Sequence, residues 1–325
     1  MRALQVSALL PDHAGAAVTD LPVPQPGPGE VRVRVRAAAV NFPDLLMTRG
    51  DYQLKPALPF VSGLEFAGEV DALGEGVVGW QVGDAVVGGN RFGAMAEYCV
   101  APAAALRARP ARLSWEEAAA YPVAYLTAYV ALVRCARVAP GEWVLVHGAA
   151  GGVGLAAVDL AKALGARVIA AASSAAKREA VARCYAPDAV IDSEARFREQ
   201  VKDLTGGAGA DVIFDPVGGD IFDESTRCIA FGGRLLVIGF ASGRIPTVSV
   251  NLPLIKGFAV VGVRAGEYGR RFPERGAENV AAIDALAAAG EIRPHVHAAL
   301  DLAEWRTGFA MLERREVVGK VVLKP

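Results

Sequence analysis

The chain has 325 residues, 53% of them hydrophobic, with 34 basic and 35 acidic side chains and a net charge of −1. That length suggests two domains, and the near-balance of charge leaves no electrostatic footprint for nucleic acid or an anionic membrane. No stretch approaches 18 uninterrupted apolar residues, so no membrane span is expected; the 4 cysteines (Cys99, Cys135, Cys184, Cys228) form no C-x-x-C pair, which fits a reduced, cytoplasmic chain.

Residues 1–120 read as an all-β, barrel-like domain. The N-terminal Met1-Arg2-Ala3-Leu4 reads as a strand rather than a signal peptide. Val31-Arg32-Val33-Arg34-Val35-Arg36 alternates as a half-exposed strand does, after a turn rich in proline and glycine from Pro22 to Gly29. Glycines then punctuate short apolar runs from Gly63 to Gly93, the pattern of many short strands joined by tight turns. A helix is expected near Phe42–Thr48, and Ser114-x-x-Glu117 is a capping box that should open another into the next domain.

Residues 121–263 alternate helix and strand. Trp143–Val146 is a strand, Gly148, Gly151, Gly152 and Gly154 crowd the turn after it, Leu155–Leu164 is a helix, and Arg167–Ala172 is the next strand. A pyrophosphate reaches a helix N-terminus only where the backbone comes close with free N–H groups, and a Cβ on the turn would block it. Gly152-Val153-Gly154-x-x-Ala157 has the spacing of a dinucleotide-binding turn. After the second strand come Ser173, Ser174, Lys177 and Arg178 with no carboxylate, which favours NADPH over NADH; the same residues also serve as a helix cap with a solvated basic face. Further buried strands are expected at Ala189–Ile191, Val212–Phe214, Leu235–Ile238 and Ala259–Val263, completing a six-stranded doubly wound parallel sheet. The turns Asp215-Pro216-Val217-Gly218-Gly219 and Gly239-Phe240 fall at carboxyl ends of strands, the edge where ligands bind.

Residues 264–325 return to the style of the first domain: helices near Ala277–Ala289 and Leu302–Arg315, a strand near His295–Ala299, and a closing strand at 319–324 expected to pair with the N-terminal sheet. His295 and His297 share a strand face, but no Cys or acidic cluster joins them as metal ligands.

Asn41-Phe42-Pro43-Asp44-Leu45-Leu46, Gly63-Leu64-Glu65-Phe66-Ala67-Gly68, Gly148-Ala149-Ala150-Gly151-Gly152-Val153-Gly154, Asp215-Pro216-Val217-Gly218-Gly219 and Gly319-Lys320-Val321-Val322-Leu323 occur in this order. Together they resemble a zinc-free medium-chain dehydrogenase/reductase of the quinone oxidoreductase (zeta-crystallin-like) branch, over essentially the whole chain. The resemblance implies a GroES-like β domain plus a Rossmann domain, and a homodimer. Zinc relatives carry Cys where this chain has Asn41 and His where it has Leu64, so no metal is expected.

The resemblance also implies roles. Asn41 and Tyr52 would line a substrate pocket, Tyr52 either giving a proton to the product oxygen or lying at the pocket's edge. Thr127 would approach the nicotinamide, Lys177 the 2′-phosphate, and Gly239 and Phe240 the nicotinamide half. Arg264 would lie near cofactor and substrate or on the surface, and Glu65 serves structure as readily as catalysis. A tyrosine usual after the third strand is replaced by Ser193. Without a Lewis acid, expected acceptors are already electrophilic: quinones, or enones. The alternatives are an enoyl reductase for α,β-unsaturated carbonyls or thioesters, where the arginines at 264, 270, 271 and 275 either serve an anionic CoA or form a solvated face, and a non-catalytic, crystallin-like NADPH-binding protein.

Overall fold

The computed structural model describes all of residues 1–325, which divide into two units: Met1–Val123 with Pro294–Pro325, and Ala124–Arg293.

The first unit begins with β1 (Arg2–Val6), β2 (Ala16–Asp20), β3 (Glu30–Val40), α1 (Phe42–Arg49), β4 (Phe60–Val61), β5 (Glu65–Leu73), β6 (Ala85–Gly89), β7 (Tyr98–Pro102), β8 (Leu106–Ala108) and α2 (Trp115–Ala120). The predicted alternation is realised in β3: Val31, Val33 and Val35 are buried, while Arg32 and Arg36 reach Asp71 and Glu69 at 2.6 and 2.7 Å. Its pleat thus puts one face into an apolar core with Leu4, Phe66 and Met95 and leaves the other to surface ion pairs. The capping box at Ser114 forms as expected, Glu117 N donating to Ser114 Oγ at 3.1 Å and Ser114 N to the Glu117 carboxylate at 2.8 Å, but the helix it opens, α2, still belongs to this unit.

From α3 (Pro122–Tyr129) the chain enters the second unit: β9 (Trp143–Val146), α4 (Gly152–Ala163), β10 (Arg167–Ala172), α5 (Ala175–Tyr185), β11 (Ala189–Asp192), α6 (Phe197–Leu204), β12 (Ala210–Asp215), α7 (Gly219–Ser225), β13 (Ile229–Val237), α8 (Asn251–Lys256), β14 (Ala259–Gly262), α9 (Ala265–Arg271) and α10 (Pro273–Ala289). The six strands form one parallel sheet in the order β11-β10-β9-β12-β13-β14. This is the doubly wound order, and it reverses at β9. β13 starts well before the expected Leu235. Its Gly232-Gly233 pair lies in an irregular stretch where the register against β12 shifts, and Gly232 takes φ 77°.

The chain re-enters the first unit at Pro294, not at residue 264. Helix α10 buries Asn279, Ile283 and Ala287, and Arg134 of the second unit donates to Asn279 Oδ1 at 2.6 Å, so these helices finish the dinucleotide-type unit. Both ends of the second unit converge on one carboxylate. Tyr125 Oη and Arg293 N donate to Asp159 Oδ2 at 2.5 and 2.7 Å. The remaining elements are β15 (Val296–Asp301), α11 (Trp305–Glu313) and β16 (Lys320–Lys324). As expected of the closing strand, β16 pairs with β3 and extends the sheet ordered β15-β16-β3-β5-β6-β8, with β7 also on β3.

Candidate functional site

In the second unit, β9 delivers the chain to Gly148, which turns with φ 55°. Gly151 N then donates to Gly148 O at 2.8 Å, and Gly151 becomes the N-cap of α4 with no side chain over it. Gly152, Val153 and Gly154 form the first helical turn, whose N–H groups have no intrahelical acceptor. A Cβ on Gly154 would lie 2.2 Å from Gly148 O, so only glycine lets the turn close against the helix. This is the bare, positively polarised cradle that a pyrophosphate requires.

The turn has a neighbour across the reversal in strand order. A Cβ on Gly148 would stand 3.4 Å from Pro216 and from Val217, which follow β12. Asp215 Oδ1 accepts from Val217 N and Gly218 N at 2.8 and 2.9 Å and fixes that second turn; burial nevertheless raises its pKa above the usual carboxylate value. Gly239, half-buried, and Phe240, 41% exposed, follow β13 on the same edge. The residues expected to hold a dinucleotide therefore gather at the carboxyl ends of β9, β12 and β13.

His147 adds a member that sequence reasoning missed. It is fully buried, with Nε2 2.9 Å from Ser225 Oγ. Ser225 Oγ already donates to Ile221 O at 2.7 Å, so it accepts from the histidine, which places the proton on Nε2. Nδ1 has no partner, and burial pushes the imidazole pKa down to about 3. The ring thus ties the start of the glycine turn to α7 as a neutral group. Its only sequence signal was a polar residue wedged between an apolar strand and Gly148.

At the end of β10, Ser173 is exposed and Ser174 caps α5, accepting from Lys177 N at 3.3 Å. Arg178 Nη1 donates to the carbonyls of Ala172 and Ser173 at 3.1 and 3.0 Å and pairs with Asp192 at 2.9 Å. The sequence along β10 holds no carboxylate, but the parallel register sets Asp192 of β11 beside Ala172. An acid therefore does approach this corner, from the neighbouring strand, and Arg178 neutralises it. Thr127 is half-buried on α3; Arg264 is exposed at the N-cap of α9, where its side chain makes no cap.

In the first unit the expected pocket residues meet differently. Asn41 is the N-cap of α1 and is 7% exposed. Its Oδ1 accepts from Lys320 Nζ at 2.6 Å, and its Nδ2 donates to Glu65 Oε1 at 2.9 Å. Lys320 Nζ also donates to Glu65 Oε1 at 2.8 Å, while Glu65 Oε2 accepts from Val123 N at 2.8 Å. The carboxamide is held by this buried network. Asp44 Oδ2 accepts from Asn41 N at 2.8 Å, Oδ1 has no partner, and desolvation raises the Asp44 pKa to about 7. Tyr52 is half-buried against the core of this unit, and its hydroxyl has no hydrogen bond within the protein. Lys320 too was missed. A lone lysine opening the apolar run Val321-Val322-Leu323 reads as a strand end, yet it is 7% exposed.

Residues 27–111 match the family described as "Alcohol dehydrogenase GroES-like domain", and residues 152–282 the one described as "Zinc-binding dehydrogenase". The chain is 40% identical over 291 residues to the "Quinone oxidoreductase-like protein 2 homolog" of Nematostella vectensis, covering 88% of this chain and 79% of that protein. A mycobacterial protein solved in complex with NADPH superimposes with a TM-score of 0.89 at 33% identity, covering 100% of both chains. The CurK enoyl reductase does so with a TM-score of 0.89 at 26% identity, covering 99% of each. The zinc in the second family's description finds no fitting donors here. No three His, Cys, Asp or Glu side chains converge, and an ammonium already occupies the oxygens of Asn41 and Glu65. A dinucleotide fits, because the glycine cradle is open and uncapped.

Proposed function

We propose that this chain, which belongs to the quinone oxidoreductase branch of the medium-chain dehydrogenase/reductase family, reduces quinones or other conjugated carbonyl acceptors with NADPH and without a metal. The observation that carries the reading is the set of donors around Asn41. Carboxamide, ammonium and carboxylate bond to one another where a metal's donor set would have to stand, which supports an acceptor that does not depend on a Lewis acid. The acceptor must then arrive already electrophilic.

NADPH, when bound, supplies the hydride. The first turn of α4 holds the pyrophosphate, and Lys177 and Arg178 favour a 2′-phosphate over bare ribose hydroxyls, Arg178 by masking Asp192. Thr127, Gly239 and Phe240 are assigned to the nicotinamide half, and Arg264 to the acceptor. Tyr52, whose hydroxyl is unspent, is assigned to give the proton that neutralises the product oxygen. The likeness to CurK supports a second reading, reduction of an alkene conjugated to a carbonyl or thioester.

The test is NADPH and NADH consumption against one ortho-quinone and one enone, in the presence of EDTA. Rapid NADPH oxidation with the quinone supports the main reading. Turnover with the enone alone moves the assignment to alkene reduction. Loss of activity in EDTA overturns metal independence. Tight NADPH binding without turnover on either compound leaves a cofactor-binding protein.

A homodimer belongs to the same proposal. β14 leaves one edge of the parallel sheet open, and Phe231, Leu254 and Val260 on and around the last two strands are 88%, 82% and 37% exposed. Light scattering on the purified protein gives the mass directly. The cytoplasmic setting read from the cysteines also belongs here, and no disulfide joins any two of the four.

A further inference from the structure

A cavity of 930 Å³ opens in the second unit, lined by Arg198 and Lys202 of α6, Arg227 after α7, Thr247 and Ser249 before α8, and Lys256 at its end. Lys202, Arg227 and Lys256 stand near the carboxyl ends of the helices that lead into β12, β13 and β14. They belong to the amino-terminal edge of the sheet, opposite the glycine turn.

Two acids also line the cavity, and both are spoken for. Asp223 pairs with Arg244 at 2.5 Å, and Glu199 lies 3.8 Å from Arg198 and 4.0 Å from Arg196. Lys202, Arg227 and Lys256 have no carboxylate partner at all. A cation at each helix end complements that helix's own dipole, but this requires neither convergence nor burial. Here they do converge. Lys256 is half-buried with Nζ 2.7 Å from Thr226 O, and desolvation followed by repulsion from Lys202 and Arg227 lowers its pKa. Arg198, Lys202, Arg227 and Lys256 outnumber Glu199 and Asp223 around this concave, hydroxyl-bearing surface, and the net positive charge suits an anion of multiple charge. The volume suits a small organic molecule, with Val248 and Leu252 for its apolar part.

We infer that the cavity bounded by Arg198, Lys202, Arg227 and Lys256 binds a polyphosphate group, at a site separate from the dinucleotide turn. Lysine and arginine supply the charge-assisted donors such a group needs, and Thr247 and Ser249 add neutral ones.

Calorimetric titration with tripolyphosphate and with ATP, at fixed ionic strength, tests this on the full chain. Saturable binding of one equivalent is expected, weakened at least about tenfold by the pair Lys202→Glu and Arg227→Glu. It should persist in the pair Lys177→Glu and Arg178→Glu, which alters the dinucleotide corner instead. Equal affinity for the two anions would identify the phosphate chain as the ligand, and preference for ATP a nucleotide. The Lys202 and Arg227 side chains lie at the surface, so thermal melts should show both variants folded. Absence of saturable binding, unchanged binding in the Lys202/Arg227 pair, or loss only in the Lys177/Arg178 pair overturns the inference. None of these outcomes depends on turnover of a quinone or enone.

Discussion

Lys320 Nζ lies 2.6 Å from Asn41 Oδ1, although 279 positions separate them in the chain. The contact joins the last strand to the N-cap of α1 and neutralises Glu65 inside the first unit. Lys320→Met should therefore strand a buried carboxylate and cost about 3–5 kcal/mol of unfolding free energy. Chemical denaturation of the variant beside wild type measures it, and a cost below about 1 kcal/mol would show that the pair carries little.

His147 and Asp44 should pull stability in opposite directions with pH. The His147 pKa falls from 6.5 to about 3 on folding, so its contribution is full above 6.5 and is lost as pH falls toward 3. Asp44 rises from 3.8 to about 7, so its contribution is full below 3.8 and is lost as pH climbs toward 7. Each slope approaches about 1.4 kcal/mol per pH unit at most. Measured as wild type minus variant, the difference should shrink on acidification for His147→Gln and grow for Asp44→Asn; a flat difference between pH 4 and 7 would sink either assignment.

Gly154→Ala sets a methyl 2.2 Å from the Gly148 carbonyl. The turn must open, and NADPH affinity should drop by more than about tenfold, a loss above about 1.4 kcal/mol. Fluorescence titration of NADPH measures this, with circular dichroism to confirm that the sheet persists.

Arg178→Ala should uncover Asp192, now 2.9 Å from the guanidinium. A bare carboxylate repels a 2′-phosphate and welcomes ribose hydroxyls. The ratio of kcat/KM for NADPH to that for NADH should fall about tenfold or more. An unchanged ratio would mean that the corner does not read the phosphate.

Tyr52→Phe removes the one expected pocket hydroxyl that the protein leaves unbonded. If it donates the proton, kcat on the accepted substrate should fall about 100-fold with NADPH binding intact. Retained kcat would return Tyr52 to a packing role.

Local chemistry made much of this legible from sequence. The glycine turn and the six apolar strands announce themselves within short windows, because a tight turn and a strand buried on both faces each restrict composition. The Asp192–Arg178 pair was not legible, since it depends on which strand lies beside β10. Lys320 was hidden for a related reason: its partners arrive from β3's end and β5, far away in sequence. The irregular start of β13 was lost because Gly232-Gly233 carries the same letters as a turn. The return at Pro294 was misplaced because α9 and α10 carry no mark of the sheet they complete.

Asp159 collects Tyr125 and Arg293 on a single oxygen. A segment of chain whose two ends meet at one atom is a loop in the topological sense, however many residues it contains. Its host is interrupted at a single place in its own sequence, leaving after the helix α2 and resuming just before the strand β15. Evolution can exchange such a loop whole, for another cofactor preference or another sheet edge, and the host's own strand pairing, down to β16 against β3, need not be rewritten.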